Sequence, residues 1–356
     1  MSFFIIRRLS LIVIFPVMGA FTSVYAQAGE EDYAALNYSH DVTKRGTSAA
    51  AFLEIGIGAK AEALGGAFTA LANDVSSLYW NPAGMIRLKS VSIMATYSDW
   101  LAGIKAQYFG LVLPAENMAF GLNFTILDYV DKQPVRTILQ PEGTGEYYGA
   151  SDMAMGVSYG LSVTDRFSFG LSLKYIRQEV WHEKTDAFAM DVGVLYETQF
   201  EGLSIGTSMS NFGTDMQLSG RDLRRAYDAD ENNYSNDKLN VLLETDKFPL
   251  PLIFRFGLAY EYTKIPNNGF TISLDLIHPS NNVETMNLGF EYCFIKMIAF
   301  RAGYQSLFDL NRESGITLGF GLNSPVRNFL DFSFNYAYSN WGLLGNIQRF
   351  SLDFQF

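Results

Sequence analysis

From about Ser90 to the terminal Phe356 the chain alternates apolar with polar or small residues at a period of two. Within 166–176, Phe167, Phe169, Leu171, Leu173 and Tyr175 share one face, and Ser168, Gly170, Ser172 and Lys174 share the other. Successive side chains of a strand point to opposite faces, so this segment reads as a strand with one apolar and one polar or small face. The pattern returns in Phe270, Ile272, Leu274 and Leu276 against Thr271, Ser273 and Asp275. It returns again in Leu330, Phe332, Phe334, Tyr336 and Tyr338, and finally in Phe350, Leu352, Phe354 and Phe356. So many two-faced strands need an arrangement that leaves few exposed edges.

Candidate strands, numbering fourteen, begin near Ser90, Ala106, Met118, Tyr148, Arg166, Ala187, Leu203, Leu250, Gly269, Glu284, Ile298, Ser314, Phe329 and Ile347. The first two are the least regular, because Ala106 to Leu113 is nearly apolar on both faces. Short links are expected at 114–117, 164–165, 201–202, 265–268, 294–297 and Ser324-Pro325, and longer polar loops at 129–146, 179–186 and 213–249. Short turns alternating with longer loops are the habit of bacterial transmembrane barrels, whose strands need roughly 9–11 residues to cross at a tilt. The expected fold is therefore all-β: a 14-stranded antiparallel transmembrane β-barrel over 90–356. A soluble double sandwich is the rival, but it would bury its apolar faces and have less use for outward aromatics.

Composition fits a barrel. There are 29 Phe, 20 Tyr and 31 Gly, with only 18% charged residues, yet no stretch after the first 26 residues suits a membrane helix. One cysteine, Cys293, excludes an internal disulfide and reads as a small packed residue. The net charge of -11 argues against a nucleic-acid partner.

The N-terminal 90 residues divide into three parts. Residues 1–26 read as a signal peptide: Arg7 and Arg8 precede an apolar run from Leu9 to Ala20, and Val24-Tyr25-Ala26 is a small-x-small cleavage site. An uncleaved anchor is the weaker alternative, since the run is short. Residues 27–51, beginning with Glu30, Glu31 and Asp32, read as a flexible periplasmic lead. In 52–89 the chain becomes rich in Gly and Ala. A short helix is expected over 59–64, and Asp74 is placed to cap a second over Ser77 to Trp80. Asn81-Pro82-Ala83-Gly84 would end it, because proline has no N–H to donate. The glycines do not form GxGxxG or a Walker motif, so a phosphate loop is discounted.

The segment FLEIGIGAKAEALGGAF, leading into NPAGM, resembles the N-terminal signature of the FadL superfamily of outer-membrane transporters, and most of all its PorV/PorQ branch. The resemblance implies a barrel whose N-terminal segment forms a hatch in the lumen, with Gly58, Gly65, Gly66, Asn81, Pro82, Ala83 and Gly84 as its motif residues. It implies a non-enzymatic outer-membrane protein for protein export or surface presentation, with exported proteins or a secretion translocon as partners. The alternative within the superfamily is a FadL-like transporter of hydrophobic small molecules such as long-chain fatty acids. The terminal RFSLDFQF resembles the signal read by the barrel-assembly machinery, with Phe354 and Phe356 as its aromatic residues.

Nothing in the sequence calls for a cofactor, a metal or catalysis. His40 lies in the lead, His182 in a loop beside Glu179, Glu183 and Asp186, and His278 near Asp275 and Ser280. No HExxH or Cys-rich spacing occurs, and a solvated surface histidine is the expected state. The acidic stretch with Asp228, Asp230, Glu231 and Asp237 lacks the EF-hand pattern and reads as a solvated outside loop. Lys174, Asp191, Arg255, Glu261, Asp275, Glu291, Arg301, Asp331 and Asp353 are expected to face the lumen and pair with one another, since buried charges must be paired.

Overall fold

The computed structural model describes residues 44–228, 239–265, 267–309, 315–327 and 330–356. The expected signal peptide, most of the expected lead, His40, Asp230, Glu231 and Asp237 lie outside the described residues. The strands are β1 (Ser92–Asp99), β2 (Lys105–Pro114), β3 (Met118–Pro134), β4 (Tyr147–Thr164), β5 (Phe167–Val180), β6 (Glu183–Glu197) and β7 (Leu203–Gly213). They continue as β8 (Ile253–Tyr262), β9 (Gly269–Pro279), β10 (Thr285–Phe294), β11 (Ile298–Leu307), β12 (Ile316–Arg327), β13 (Leu330–Asn340) and β14 (Asn346–Gln355). Each pairs antiparallel with its sequence neighbours, and β1 pairs with β14 from Ser92↔Gln355 to Asp99↔Gln348. The result is a closed 14-stranded antiparallel barrel, as the alternation predicts.

The polarity of the wall is inverted relative to a water-soluble protein. On β5, Leu173 is 59% exposed while Ser172 and Lys174 beside it are buried. Phe120, Val157, Phe188, Phe254 and Phe300 are likewise exposed, and the buried faces carry Ser, Thr, Asn, Asp and Arg. An apolar outside around a polar inside is the arrangement a barrel needs in lipid. Among the described residues no helix is long and apolar enough to cross a membrane.

Three expected connections differ. The loop expected over 179–186 is a two-residue hairpin at 181–182, because β5 and β6 run on as charged strands (Glu179↔Lys184, Arg177↔Asp186). Strands that rise beyond the hydrocarbon have no need of apolar alternation, so their ends resemble loop in sequence. Likewise β3 continues to Pro134 with register shifts near Val130. Ser324-Pro325 is not a turn either: Pro325 sits in β12 opposite Asp331, at an irregularity in register, where its missing N–H is tolerated. The connection over 214–252 holds two small two-stranded sheets, Met216–Gln217 with Lys247–Phe248 and Arg224–Tyr227 with Leu239–Leu242.

Inside the barrel lies the segment 50–88. Helix α1 (Ala59–Ala63) and helix α2 (Ser77–Trp80) occur as expected. Asp74 Oδ1 accepts from Ser76 N at 2.8 Å and Ser76 Oγ at 2.6 Å just before α2. Asn81 is extended and ends α2, but Pro82 then opens a 3-10 turn, Pro82–Arg87. The NPAG element therefore stops one helical turn and starts another, with Asn81 Oδ1 accepting from Ala83 N at 3.1 Å. The both-faces apolar character of β2 also finds its cause. Tyr108 and Val112 point inward onto Ile57, Val75, Leu78 and Met85 of this segment, a packed cluster inside the lumen.

The last residues of the expected lead, 44–51, do not hang free at the end where β1 starts and β14 stops. They lie at the opposite end, where Ala49 N donates to Pro249 O at 2.9 Å and Ala50 N to Gln178 Oε1 at 3.0 Å.

Candidate functional site: the filled lumen and its outer cavity

The inner segment is seated by glycines of the wall. A Cβ on Gly170 would stand 2.2 Å from Ala83 N, one on Gly303 2.1 Å from Gly65 N, and one on Gly206 2.4 Å from Thr69 O. The contacted atoms are backbone, so the strands have room for the segment only because these side chains are missing. This role was not read from the sequence. The small-residue face was legible; the close approach of a second chain segment was not.

Buried polar groups fasten the segment around the circumference. The Phe68 and Thr69 N–H groups donate to Asp275 Oδ2 at 3.0 and 2.9 Å. Ala59 N donates to Ser351 Oγ at 2.8 Å, and Thr317 Oγ1 to Ala63 O at 3.1 Å. Asn81 Nδ2 reaches both Thr69 O (2.9 Å) and Val194 O (3.0 Å). Arg87 donates to Ser204 Oγ at 2.7 Å and to the carbonyls of Ala70 and Leu71. Arg349, 1% exposed, pairs with Glu62 of α1 at 2.9 Å.

Of the charges expected to pair across the wall, Lys174–Asp191 (2.8 Å) and Arg301–Glu291 (2.5 Å) do so. Arg301 continues through Asn335 to Asp353. Glu261 comes within 3.9 Å of Arg87. Asp331 opens onto a cavity instead. Asp275 and Arg255 serve the inner segment: Arg255 lies over the rings of Tyr79 (5.6 Å) and Trp80 (5.3 Å). The Glu62–Arg349 pair was missed, because a single Glu in an Ala-rich helix and a single Arg in the last strand give no spacing signal.

The motif residues sit within this packing. Gly58, Gly65 and Gly66 have positive φ, and Asn81, Pro82, Ala83 and Gly84 are buried. Phe354 packs on Phe332 with ring centroids 5.3 Å apart, while Phe356 is exposed and its N–H donates to Val91 O at 2.9 Å.

The segment separates cavities at the two ends. At the end of the short turns are two, of about 670 and 710 Å³, lined by charged groups such as Arg87, Lys60 and Asp353. At the loop-bearing end is one of about 410 Å³. Its walls carry aromatic side chains, Trp80, Trp100, Tyr129 and Trp341 among them, and also many polar and charged groups, including Glu54, Glu62, Asp309, Arg255, Asn281 and Gln305. Trp100 and Trp341 meet edge to face at 5.3 Å. Tyr79 OH donates to Leu53 O at 3.1 Å, and burial pushes its phenol up to about 12. Glu54 accepts from Asn281 Nδ2 at 2.6 Å; enclosure raises its carboxyl above the ordinary range, against the pull of Asn281 and Arg255. Aromatic walls with polar groups between them are the composition from which small-molecule pockets are built.

The two described histidines do not join it. His182 stacks on Trp181, accepts at Nε2 from Arg221 (2.7 Å) and donates from Nδ1 to Asp222 (2.7 Å). It pins the hairpin at 181–182 to the 214–252 connection instead of meeting Glu179, Glu183 and Asp186. His278 contacts Glu284 at 3.0 Å in the open. Among the described residues no group of three His, Cys, Asp or Glu side chains is gathered as for a metal ion.

No curated protein matches the chain. Among solved structures, it is similar to the CymD monoaromatic hydrocarbon channel, at 13% identity over 84% of this chain and 96% of that one, with a TM-score of 0.53. It is similar to the Pseudomonas putida toluene transporter TodX at 12% identity, covering 84% and 96%, with a TM-score of 0.50. A Pseudomonas aeruginosa FadL homologue matches at 12% identity over 82% and 96%, with a TM-score of 0.47. At such identity the likeness is one of fold alone, the closed antiparallel barrel. The model of the uncharacterised protein family UPF0164 matches residues 22–235, from the N-terminal segment to beyond β7, and the chain belongs to that family.

Proposed function

We propose that the protein admits small hydrophobic or amphipathic molecules through the outer membrane, with the cavity at the loop-bearing end as their first binding site. The observation that carries this is the aromatic-walled space of about 410 Å³ at the loop-bearing end, divided by the packed inner segment from the two charged cavities at the short-turn end. Its size is within the range of small-molecule sites, and its polar and charged groups between the aromatic rings would orient an amphipathic ligand. The folds it shares belong to proteins described as a monoaromatic hydrocarbon channel and a toluene transporter. In this reading 52–89 is a hatch, with Gly58, Gly65, Gly66 and Asn81 to Gly84 as its seat, and Phe354 and Phe356 serve recognition by the barrel-assembly machinery.

A second reading is a PorV/PorQ-like role in export or surface presentation. It is favoured by the rim, where Ile138 (100% exposed), Leu139 and Leu343 stand at loop tips as apolar contacts for a protein partner. A lumen packed with its own chain leaves no passage for a polypeptide, so that role would belong to the rim alone.

Purification from the native outer membrane in mild detergent, followed by mass spectrometry of small molecules and proteins together, separates the two. The transport reading expects a bound small hydrophobic compound whose amount falls when Trp341 is replaced by alanine. Co-purifying exported proteins with no such compound would replace it by the export reading.

A further inference from the structure

The inner segment has fixed points at both ends of the barrel. At the short-turn end, Arg87 donates to Ser204 Oγ at the start of β7 at 2.7 Å and pairs with Glu197 at the end of β6 at 3.3 Å. At the loop-bearing end, the stretch 45–54 is tied to four separate places. Ala49 N donates to Pro249 O at 2.9 Å, and Ala50 N to Gln178 Oε1 near the end of β5 at 3.0 Å. Asn281, between β9 and β10, donates to Ser48 Oγ (2.8 Å) and to Glu54 Oε1 (2.6 Å). Arg45 donates to Asn282 Oδ1 at 2.8 Å and pairs with Asp309, beyond β11, at 3.1 Å. Outside these ties, Lys44 to Thr47 form an exposed turn closed by Thr47 Oγ1 on Lys44 O at 2.6 Å. Gly46 in that turn has φ +77° and open space around it.

We infer that the chain threads the barrel from end to end, so that residues 44–49 are displayed at the outer surface of the membrane. The orientation follows from the connections: outer-membrane barrels carry short turns inside and longer loops outside, and the connections over 135–146 and 214–252 share the end that holds residues 44–49. The inference rests on outer-membrane placement but not on the transport reading. It has two consequences. The hatch is strapped at both ends, so withdrawing it toward the periplasm would break the contacts of Arg45, Ser48 and Glu54. Because Ala51, Phe52 and Glu54 line the outer cavity, the displayed strap and the cavity wall are one continuous piece of chain.

Two measurements on whole cells test this. With Cys293→Ser as background, single cysteines are placed by Thr47→Cys, Leu139→Cys at a loop tip and Lys89→Cys at the short-turn end, and a membrane-impermeant maleimide is applied. Retention of the compact heat-modifiable band checks folding. Thr47→Cys and Leu139→Cys are expected to label in intact cells, and Lys89→Cys only after permeabilisation. Labelling of Leu139→Cys with protection of Thr47→Cys would overturn threading; labelling of Lys89→Cys alone in intact cells would overturn the orientation. Trypsin on intact cells carrying the unaltered protein gives an independent result. New N-termini at Arg45 or Gly46 support the display of this turn, and their appearance only after permeabilisation refutes it.

Discussion

Glu54 shows how a single residue takes its properties from the barrel around it. It faces a cavity that water can enter, yet the lumen encloses it, and that enclosure raises its carboxyl despite Asn281 and Arg255 nearby. In the folded protein the proton is therefore held more tightly than in the unfolded chain. The sign follows: the fold is favoured fully below the ordinary carboxylate range of about 4.3, and stability falls as pH rises from there to the raised value. Glu54→Gln should remove part of that fall, read as the thermal midpoint in detergent across this window. Identical slopes for both proteins would assign the effect to another group. The wall glycines make the same point sterically: Gly170 looks like an ordinary small residue of an alternating strand, and only the fold puts Ala83 N against it.

At the scale of elements, the inner segment, the proposed hatch, is short pieces of helix too brief to hold themselves together. Its helical turns owe their order to the wall: Asp275 satisfies two N–H groups of a turn, Ser351 satisfies the N–H of Ala59, and Arg349 meets the charge on α1. Asn81 is the most demanding of these contacts, with all its side-chain polar atoms bonded and no exposure. Asn81→Ala should cost about 1–3 kcal/mol by leaving buried carbonyls without donors. It should also raise the entry of large hydrophilic antibiotics into whole cells at equal barrel abundance. Unchanged permeability together with an unchanged melting point would remove Asn81 from the hatch's fastening. The helix positions and the break at Asn81-Pro82 were legible in the sequence, because proline chemistry is local, whereas the N-cap of α2 is Ser76 and not the expected Asp74, which binds Ser76 instead. That the same four residues also start a 3-10 turn was not, since that depends on where the wall receives them.

For the whole molecule, the outward apolar belt is the property that water-soluble folds lack. Leu173 lies midway along β5 and points outward. Leu173→Arg should cost about 2–4 kcal/mol when measured by denaturant unfolding in lipid vesicles, as a charge near the bilayer midplane does. An exposed position in water would tolerate the same change nearly free of cost, so the absence of a loss would deny that this face meets lipid. The same closed wall explains why the lumen is polar yet packed. Charges such as Lys174 and Asp191 pair within the wall, and others such as Arg255 and Asp275 turn to the hatch.

Alternation at a period of two is a local property, so the sequence alone determined the strand number, the faces and most strand starts, from Met118 to Ile298. Signals failed where strands leave the bilayer, as in Glu183 to Asp186, because no apolar face is required there. What only the tertiary structure decided depends on contacts between distant parts of the chain. These are the glycines that make room for the inner segment, the Glu62–Arg349 pair, the aromatic cavity assembled from both inner segment and wall, and the end of the barrel at which residues 44–49 lie. Each arises from closure of the barrel around a segment up to 292 residues away from its partner, and no local spacing encodes that distance.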